Sequence, residues 1–263
     1  MNLVVGNTSQ LYPYFKECDP DIVGISSRDI DTSNFVYNQF DKAFLTFAEQ
    51  RTFLNEDLDF FIKTNVDYTL EVIVKLSPYV KTFIVYSTSE LWNGYSGEIN
   101  LDMPFNYNGS PYIKSKELME YRINLLRQFN MDIKIVYPFN FNSPYRKPGF
   151  LFSKFMDVIL HNKKITVGDL NFYRDITHPK QIVEASFTTD KDVIVGSGNL
   201  INIRKFYVDL LNKFSIIYED FVTEESNMYI NLREPYYLMT NKPYNNILED
   251  TFNDIKKFKD SIS

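Results

Sequence analysis

The chain has 263 residues, 44% hydrophobic and 24% charged, a composition that can bury a core and excludes global disorder. Its 28 basic and 34 acidic residues leave a formal net charge of −6, so there is no basic excess to displace counterions from a nucleic acid. A single cysteine, Cys18, excludes a disulfide framework and a thiolate metal cluster. The two histidines, His161 and His178, come with no CxxC or HExxH spacing and make no zinc site. Length alone allows one large domain or two small ones. No charged segment, apolar region and small-residue cleavage site precede the first apolar run, Asn2-Leu-Val-Val5. No apolar run approaches the roughly 18 residues of a membrane helix, so a cytoplasmic protein is expected. The 23 Phe and 19 Tyr are read as core filling, not as a stacking platform for sugars or bases.

Short apolar runs alternate with longer amphipathic stretches along the chain. Strands are predicted at Leu3–Val5, Asp21–Ile25 and Ala43–Phe47, and a helix at about Asp57–Leu76. A strand at Thr82–Tyr86 follows, then a helix at about Pro111–Gln128 and a strand at Asp132–Val136. In that helix Tyr112, Lys116, Met119, Ile123 and Leu126 recur at roughly helical spacing. Strands separated by helices imply crossover connections and a Rossmann-like, doubly wound parallel α/β sheet. Such sheets bind ligands beyond the carboxyl ends of their strands. After Val136, the prolines Pro138, Pro144 and Pro148 punctuate a loop. A helix near Phe150–Leu160, a helix Pro179–Thr188, a strand Asp192–Val195 and a helix opening near Ile203 come later.

The turn after the first strand reads Gly6-Asn-Thr-Ser-Gln-Leu-Tyr12. Spaced as GxxGxxG, a dinucleotide loop would put glycines where this chain has Gly6, Ser9 and Tyr12. Only the first is glycine, so the loop alone does not separate a phosphate site from an ordinary strand–helix turn. The second strand ends in Gly24-Ile-Ser-Ser-Arg-Asp-Ile-Asp31. An acidic residue at the strand end would take the adenosine ribose hydroxyls of NAD. The Ser-Ser-Arg tip instead offers hydroxyls and a planar cation suited to the 2′-phosphate of NADP. A solvated arginine at a loop start is the bland alternative.

Tyr112 and Lys116 are four apart and so share one helical face. A phenol with pKa near 10 is a poor acid–base group at neutral pH. A lysine ammonium one turn away favours the phenolate and suits the tyrosine to exchange the proton that accompanies hydride transfer at a carbinol. Upstream, an apolar strand ends in Tyr86-Ser-Thr-Ser-Glu-Leu-Trp-Asn-Gly94, which places a hydroxyl at a carboxyl strand end.

With these pieces in order, the chain resembles an extended short-chain dehydrogenase/reductase of the nucleotide-sugar epimerase, dehydratase and reductase kind. Ser87-Thr-Ser-Glu-Leu-Trp-Asn-Gly94 resembles the family's S-[ST]-x-x-V-Y-G strand end, and Ser110-Pro-Tyr-Ile-Lys-Ser-Lys116 with Glu120 resembles its tyrosine–lysine helix. Pro138-Phe-Asn140 with Pro144 is similar to P-F-N-x-x-G-P, and Arg174-Asp-Ile-Thr-His178 to R-D-F-x-H-V-D-D. Gly196-Ser-Gly198 with Ile203 is similar to the late G-x-G strand end. Ala48-Glu-Gln50 and Asn65-Val66 fall where the family has A-A-Q and N-V.

The resemblance implies Thr88 as the hydroxyl on the sugar C4 oxygen, Tyr112 as general acid/base and Lys116 on the nicotinamide ribose. It implies cofactor contacts from Gly6, Thr8, Ser9, Gln10, Leu11, Ser27, Arg28, Asp31, Phe47, Ala48, Tyr112, Lys116 and Pro138, with NADP(H) favoured over NAD(H). Substrate contacts fall to Ser89, Glu90, Asn140 and Arg174, the last two near the nucleotide. For these two, a turn-forming asparagine and an ion pair of Arg174 with Asp175 remain the structural alternatives, and His178 reads as a packing residue. The cofactor domain would take 1–138 with about 174–198. A smaller C-terminal substrate-binding lobe would take 139–173 and 199–263. A homodimer through the two long helices, a nucleotide-sugar substrate and a place in polysaccharide biosynthesis are likewise implied.

Departures from the family narrow the chemistry. Sugar 4,6-dehydratases place two acids after the threonine, where this chain has Ser89 and Glu90, so dehydration lacks its general acid and is disfavoured. Epimerisation at C3 and C5 typically needs an added cysteine and histidine, and Cys18 lies on the first helix. Reduction of a 4-keto nucleotide sugar with NADPH is therefore preferred to NAD-dependent C4 epimerisation. A catalytically weak binding or scaffold protein is the reading from another class. Only Ser27–Lys42 separates the second strand from the Ala43 strand. The customary strand and helix do not fit there, which implies a trimmed adenine-side edge.

Overall fold

The computed structural model describes residues 1–30, 38–54, 57–95, 97–106, 109–225, 237–238 and 243–262. They form two compact units. The first comprises Met1–Asn93, Leu101–Pro138 and Lys180–Ile194, and the second Gly94–Asn100, Phe139–Pro179 and Val195–Ser263.

Six strands build the main sheet: β1 (Asn2–Val5), β2 (Val23–Ile25), β3 (Phe40–Leu45), β4 (Val80–Tyr86), β5 (Ile133–Pro138) and β6 (Val193–Val195). Their order is β6-β5-β4-β3-β1-β2, and β1 pairs in parallel with both β2 and β3, β3 with β4, and β4 with β5. Parallel neighbours require crossovers, supplied here by the helix Tyr12–Cys18, the helical stretch 58–76, and the helices Pro111–Arg127 and Pro179–Thr188. Near-continuous apolar runs follow from burial on both faces, as in Leu3, Val4, Val5, Ala43, Phe44 and Ile84, all 0% exposed. Phe15, Phe44 and Phe187 pack ring to ring with centroids 4.6, 4.9 and 5.5 Å apart, so these aromatics do fill a core. The chain reverses direction across the sheet at β1, which opens the crevice at the carboxyl ends of β1 and β3.

Strand limits differ from the sequence expectation where side chains intercept the ladder. β2 starts at Val23 and not Asp21, because Asp19 takes the Asp21 amide on its side chain (3.2 Å) and the Ile22 amide on its carbonyl (3.1 Å). β3 runs Phe40–Leu45 and stops before Thr46, whose hydroxyl turns to the Gly6 carbonyl at 3.0 Å. β2 is the terminal strand, and among the described residues none pairs outside it.

The second unit holds a three-stranded sheet in the order Leu200–Asn202, Tyr173–Thr177, Asn140–Phe141, and a parallel pair of Ile165–Gly168 with Val222–Glu225. The strand Asn140–Phe141 lies inside the stretch expected to be loop. The helices Leu151–His161, Ile203–Lys213 and Ile247–Ile262 enclose a core in which Phe155 stacks on Tyr207 at 3.7 Å. Among the described residues, no helix is long and apolar enough to cross a membrane.

Candidate active site

The loop after β1 is shaped by Gly6, whose φ of +107° favours glycine. A Cβ there would sit 2.8 Å from the Thr46 hydroxyl and 3.0 Å from the Phe47 amide, so the turn accepts nothing larger. The Gly6 and Asn7 amides both donate to the Ile25 carbonyl, at 2.8 and 3.0 Å, which fixes the loop over the end of β2. Ser9 takes the second glycine position, and among the described residues its buried hydroxyl has no hydrogen-bond partner, nor has the buried side-chain oxygen of Asn7. A hydroxyl donor and an amide acceptor held dry in a glycine turn suit a phosphate and a ribose, so the loop fits a dinucleotide. At the third position, Tyr12 lies across Gly24, where an added Cβ would be 2.3 Å from the phenol oxygen. Bulk at position 12 is thus matched by its absence at position 24. Thr8 is exposed, Gln10 half-buried and Leu11 buried in the same loop.

At the end of β2, Ser27 and Arg28 form a single 3-10 turn over Ser27–Asp29, capped by the Ser26 hydroxyl on the Arg28 amide at 3.2 Å. The Ser27 carbonyl accepts from the Tyr68 hydroxyl, whose ring lies 5.4 Å from that of Phe47. Arg28 is exposed. Phe47 and the half-buried Ala48 follow β3. Asp31 lies outside the described residues.

Asn65 stands in a π-helical turn, Lys63–Tyr68, that interrupts the stretch 58–76. Its side-chain oxygen accepts from the Glu49 amide at 2.8 Å. Its nitrogen donates to the Glu49 carbonyl and the Ser115 hydroxyl, both at 3.0 Å. Ser115 in turn donates to the Tyr112 carbonyl at 2.7 Å, which ties the loop after β3 to the helix Pro111–Arg127. That helix starts cleanly, because Ser110 caps the Ile113 amide and Pro111 takes the first turn, where its missing N–H costs nothing.

On that helix Tyr112 is half-buried and meets the Phe61 ring edge-on at 6.0 Å. Lys116 is buried at 2% exposure, and its ammonium donates to the Tyr86 carbonyl at 2.8 Å. Two residues further along, buried Thr88 accepts the Glu90 amide on its hydroxyl at 3.2 Å and caps a 3-10 turn, Ser89–Trp92. Ser89 is buried and Glu90 half-buried. The end of β4 and the Tyr–Lys helix therefore meet, and Pro138 ends the neighbouring strand β5. A further buried group joins them. Glu120 accepts from the Ser87 hydroxyl at 2.5 Å and from the Tyr137 hydroxyl at 2.9 Å. Neither Asn65 nor Glu120 was given a role from sequence. The one signal for either was its place in a motif, since burial of a polar side chain has no local spacing rule.

In the second unit, Asn140 pairs with Ile176 and Arg174 with Ile201, on neighbouring strands. Arg174 is buried, donates to the Tyr173 carbonyl at 2.8 Å and lies 4.9 Å from the Phe172 ring centroid. Asp175 accepts from the Ser197 amide and hydroxyl, both at 2.7 Å, and from the Gly198 amide at 2.9 Å. It is a turn-holding carboxylate. His178 is buried with Nε2 3.0 Å from an Asp254 oxygen, which ties the C-terminal helix to the strand before it.

A parallel sheet with a strand-end threonine and a helix carrying half-buried Tyr112 and buried Lys116 defines an extended short-chain dehydrogenase/reductase. The chain belongs to the family described as GDP-mannose 4,6 dehydratase, whose model matches residues 61–249, and so to the nucleotide-sugar dehydratases and epimerases. No curated protein sequence matches it significantly. Among solved structures it is similar to MoeE5 in complex with UDP-glucose and NAD, at 16% identity and TM-score 0.81 over 100% of this chain and 99% of that one. It is also similar to RMD from Pseudomonas aeruginosa complexed with NADPH, at 15% identity and TM-score 0.80 over 99% of each. A UDP-glucose 4-epimerase from Thermotoga maritima with UDP-glucose matches at 15% identity and TM-score 0.80 over 100% of each.

Proposed function

We propose that the protein reduces the 4-ketone of a nucleotide-activated sugar with NADPH. The observation that carries this is the Lys116 ammonium resting on the Tyr86 carbonyl, one turn from Tyr112 and two residues from Thr88. Gly6, Ser9 and the loop to Leu11 would hold the dinucleotide phosphates, Ser27 and Arg28 the 2′-phosphate, and Phe47, Ala48 and Pro138 the rest of the cofactor. Bound there, the nicotinamide supplies hydride chemistry. Tyr112 gives its phenolic proton to the C4 oxygen as that oxygen gains charge, and is left as phenolate. The Lys116 cation stabilises the phenolate, and the Thr88 hydroxyl orients the oxygen. Asn140 and Arg174 would serve the nucleotide end of the substrate. Two neighbours at 15–16% identity bind NAD or NADPH by name, which supports a nicotinamide cofactor.

A second reading, dehydration, is favoured by Glu90. It is a half-buried carboxylate two residues after Thr88, and the family is named for that reaction. Ser89 removes one acid and leaves the C5 base in place. We also read the exposed Val74 and Tyr121, at 52% and 60% exposure on the two long helices, as part of a homodimer face. Sedimentation equilibrium tests it, and a monomer at every concentration would exclude it.

The deciding experiment is fluorescence titration with NADPH and NADH, followed by incubation with a panel of nucleotide hexoses and their 4-keto derivatives. NADPH consumption with a 4-keto sugar is the expected outcome. A 4-keto-6-deoxy product without net cofactor consumption means dehydration, and a C4 epimer means epimerisation. No binding of either cofactor below millimolar would overturn the enzyme reading in favour of a scaffold.

A further inference from the structure

We propose that Glu120 is a positioning residue for the Tyr112–Lys116 pair: its carboxylate keeps the Lys116 ammonium charged and clamps the strand end on which that ammonium rests. The proposal builds on the role given to Lys116 above. Lys116 and Glu120 are 2% and 4% exposed and lie one helical turn apart. A buried ammonium has three donors and loses most of its hydration. The Tyr86 carbonyl and, more weakly, the Met119 sulfur at 3.9 Å take two of them, and both partners are neutral. Without an opposite charge nearby, such a lysine sheds its proton and can no longer favour a phenolate.

The opposite charge acting on Lys116 is that of Glu120. Ser87 donates to one Glu120 oxygen and Tyr137 to the other, an arrangement that suits a carboxylate, which only accepts. The same two bonds pin β4 and β5 to the helix. Ser87 directly follows Tyr86, whose carbonyl holds the ammonium, and directly precedes Thr88. Burial pushes the Glu120 carboxyl up to about 7, against the pull of the Ser87 and Tyr137 hydrogen bonds, and pushes the Lys116 ammonium down to about 8. The two groups thus change charge close to neutral pH.

The surrounding charges are few. Asp192 and Arg127 both act on this cluster but are paired with each other at 2.5 Å. The Tyr86 phenol turns away to Ser186 at 2.8 Å. Lys63 and Asp67 on the π turn are exposed, as is Glu71 beyond it, while Lys75 and Glu90 are half-buried.

The test is an NMR pH titration of the Lys116 ε-carbon and the Glu120 carboxyl carbon in isotope-labelled full-length protein, without cofactor or substrate. In the unaltered chain the two curves share an inflection, because each carbon senses the other group's ionisation. Glu120→Gln keeps the side-chain volume and one acceptor and moves the Lys116 midpoint down by about one pH unit or more. Glu120→Asp restores most of that shift. Independent curves in the unaltered chain, or an unmoved Lys116 midpoint in folded Glu120→Gln protein, overturn the proposal. Neither readout needs turnover, so coupled curves in a protein that reduces no 4-keto sugar would sink the reductase reading alone.

Discussion

Tyr112 is useful only if its phenol oxygen can hold and release a proton near neutral pH. Tyr112→Phe removes that oxygen and leaves the ring that meets Phe61, so the fold and the cofactor loop stay intact. Turnover should fall by roughly a hundredfold to ten-thousandfold, the usual contribution of a positioned acid–base group. Cofactor affinity should stay near that of the unaltered protein, because the role assigned to the lost oxygen is on the substrate and Lys116 keeps its place on the Tyr86 carbonyl. Steady-state kinetics beside a cofactor titration checks both, and undiminished turnover would sink the assigned mechanism. Arg28 belongs to the same scale. It is exposed on a short turn, so removing its guanidinium leaves the packing alone. Arg28→Ala should weaken NADPH by roughly tenfold to a hundredfold, the worth of one hydrogen bond to a charged group, and leave NADH unchanged. Equal NADPH and NADH affinities in the unaltered protein would refute the NADP preference.

Among the elements, the parallel sheet was legible because its inner strands are short apolar runs buried on both faces, and such runs announce themselves locally. The Tyr–Lys helix was legible too, since Ser110, Pro111 and the apolar spacing from Ile113 to Ile123 are neighbours in sequence. The strands of the second unit were not. Ile165–Gly168 pairs with Val222–Glu225 across more than fifty residues, and runs of four residues with one or two apolar side chains carry no period of their own. The π turn in the stretch 58–76 also escaped, because one extra residue per turn leaves the apolar spacing on either side intact. That turn presents buried Asn65 to the loop after β3, where it stands in for a backbone partner at Glu49. Asn65→Ala leaves the Glu49 amide and carbonyl unpaired, at about 1–3 kcal/mol for each group. A lowered denaturation midpoint, together with weaker cofactor binding through the displaced Phe47 and Ala48, is expected. Unchanged stability would show that Asn65 does not hold this loop.

For the whole molecule, the buried pair on the Tyr–Lys helix should shape how stability follows pH. Glu120 is raised from 4.5 to about 7, so between those values the folded chain keeps a proton that the unfolded chain has released. Stability therefore falls as pH rises through that window. Lys116 is lowered from 10.5 to about 8, so above 8 the unfolded chain keeps a proton that the folded chain has lost, and stability rises again. Other groups bound these two limbs. Asp41, Glu49, Asp132 and Glu224 are held below their ordinary values: Asp41 by hydrogen bonds from Lys81 and the N-terminal amine, the other three by hydrogen bonds that outweigh their burial. Their stabilising contributions are lost at acid pH. Burial holds the phenols of Tyr86, Tyr207 and Tyr218 above theirs, so the recovery ends as unfolded tyrosines begin to ionise near pH 10. Asp175, raised chiefly by burial, adds to the fall on the acid side. Urea denaturation across this range should show its lowest midpoint between about pH 7 and 8, flanked by higher values near 5 and 9.5. Glu120→Gln should flatten the acid limb and start the alkaline recovery about one pH unit lower, because the lysine still titrates but with a lowered midpoint. A midpoint that changes in one direction across the whole range would mean that the two buried charges do not govern the stability of this fold near neutral pH.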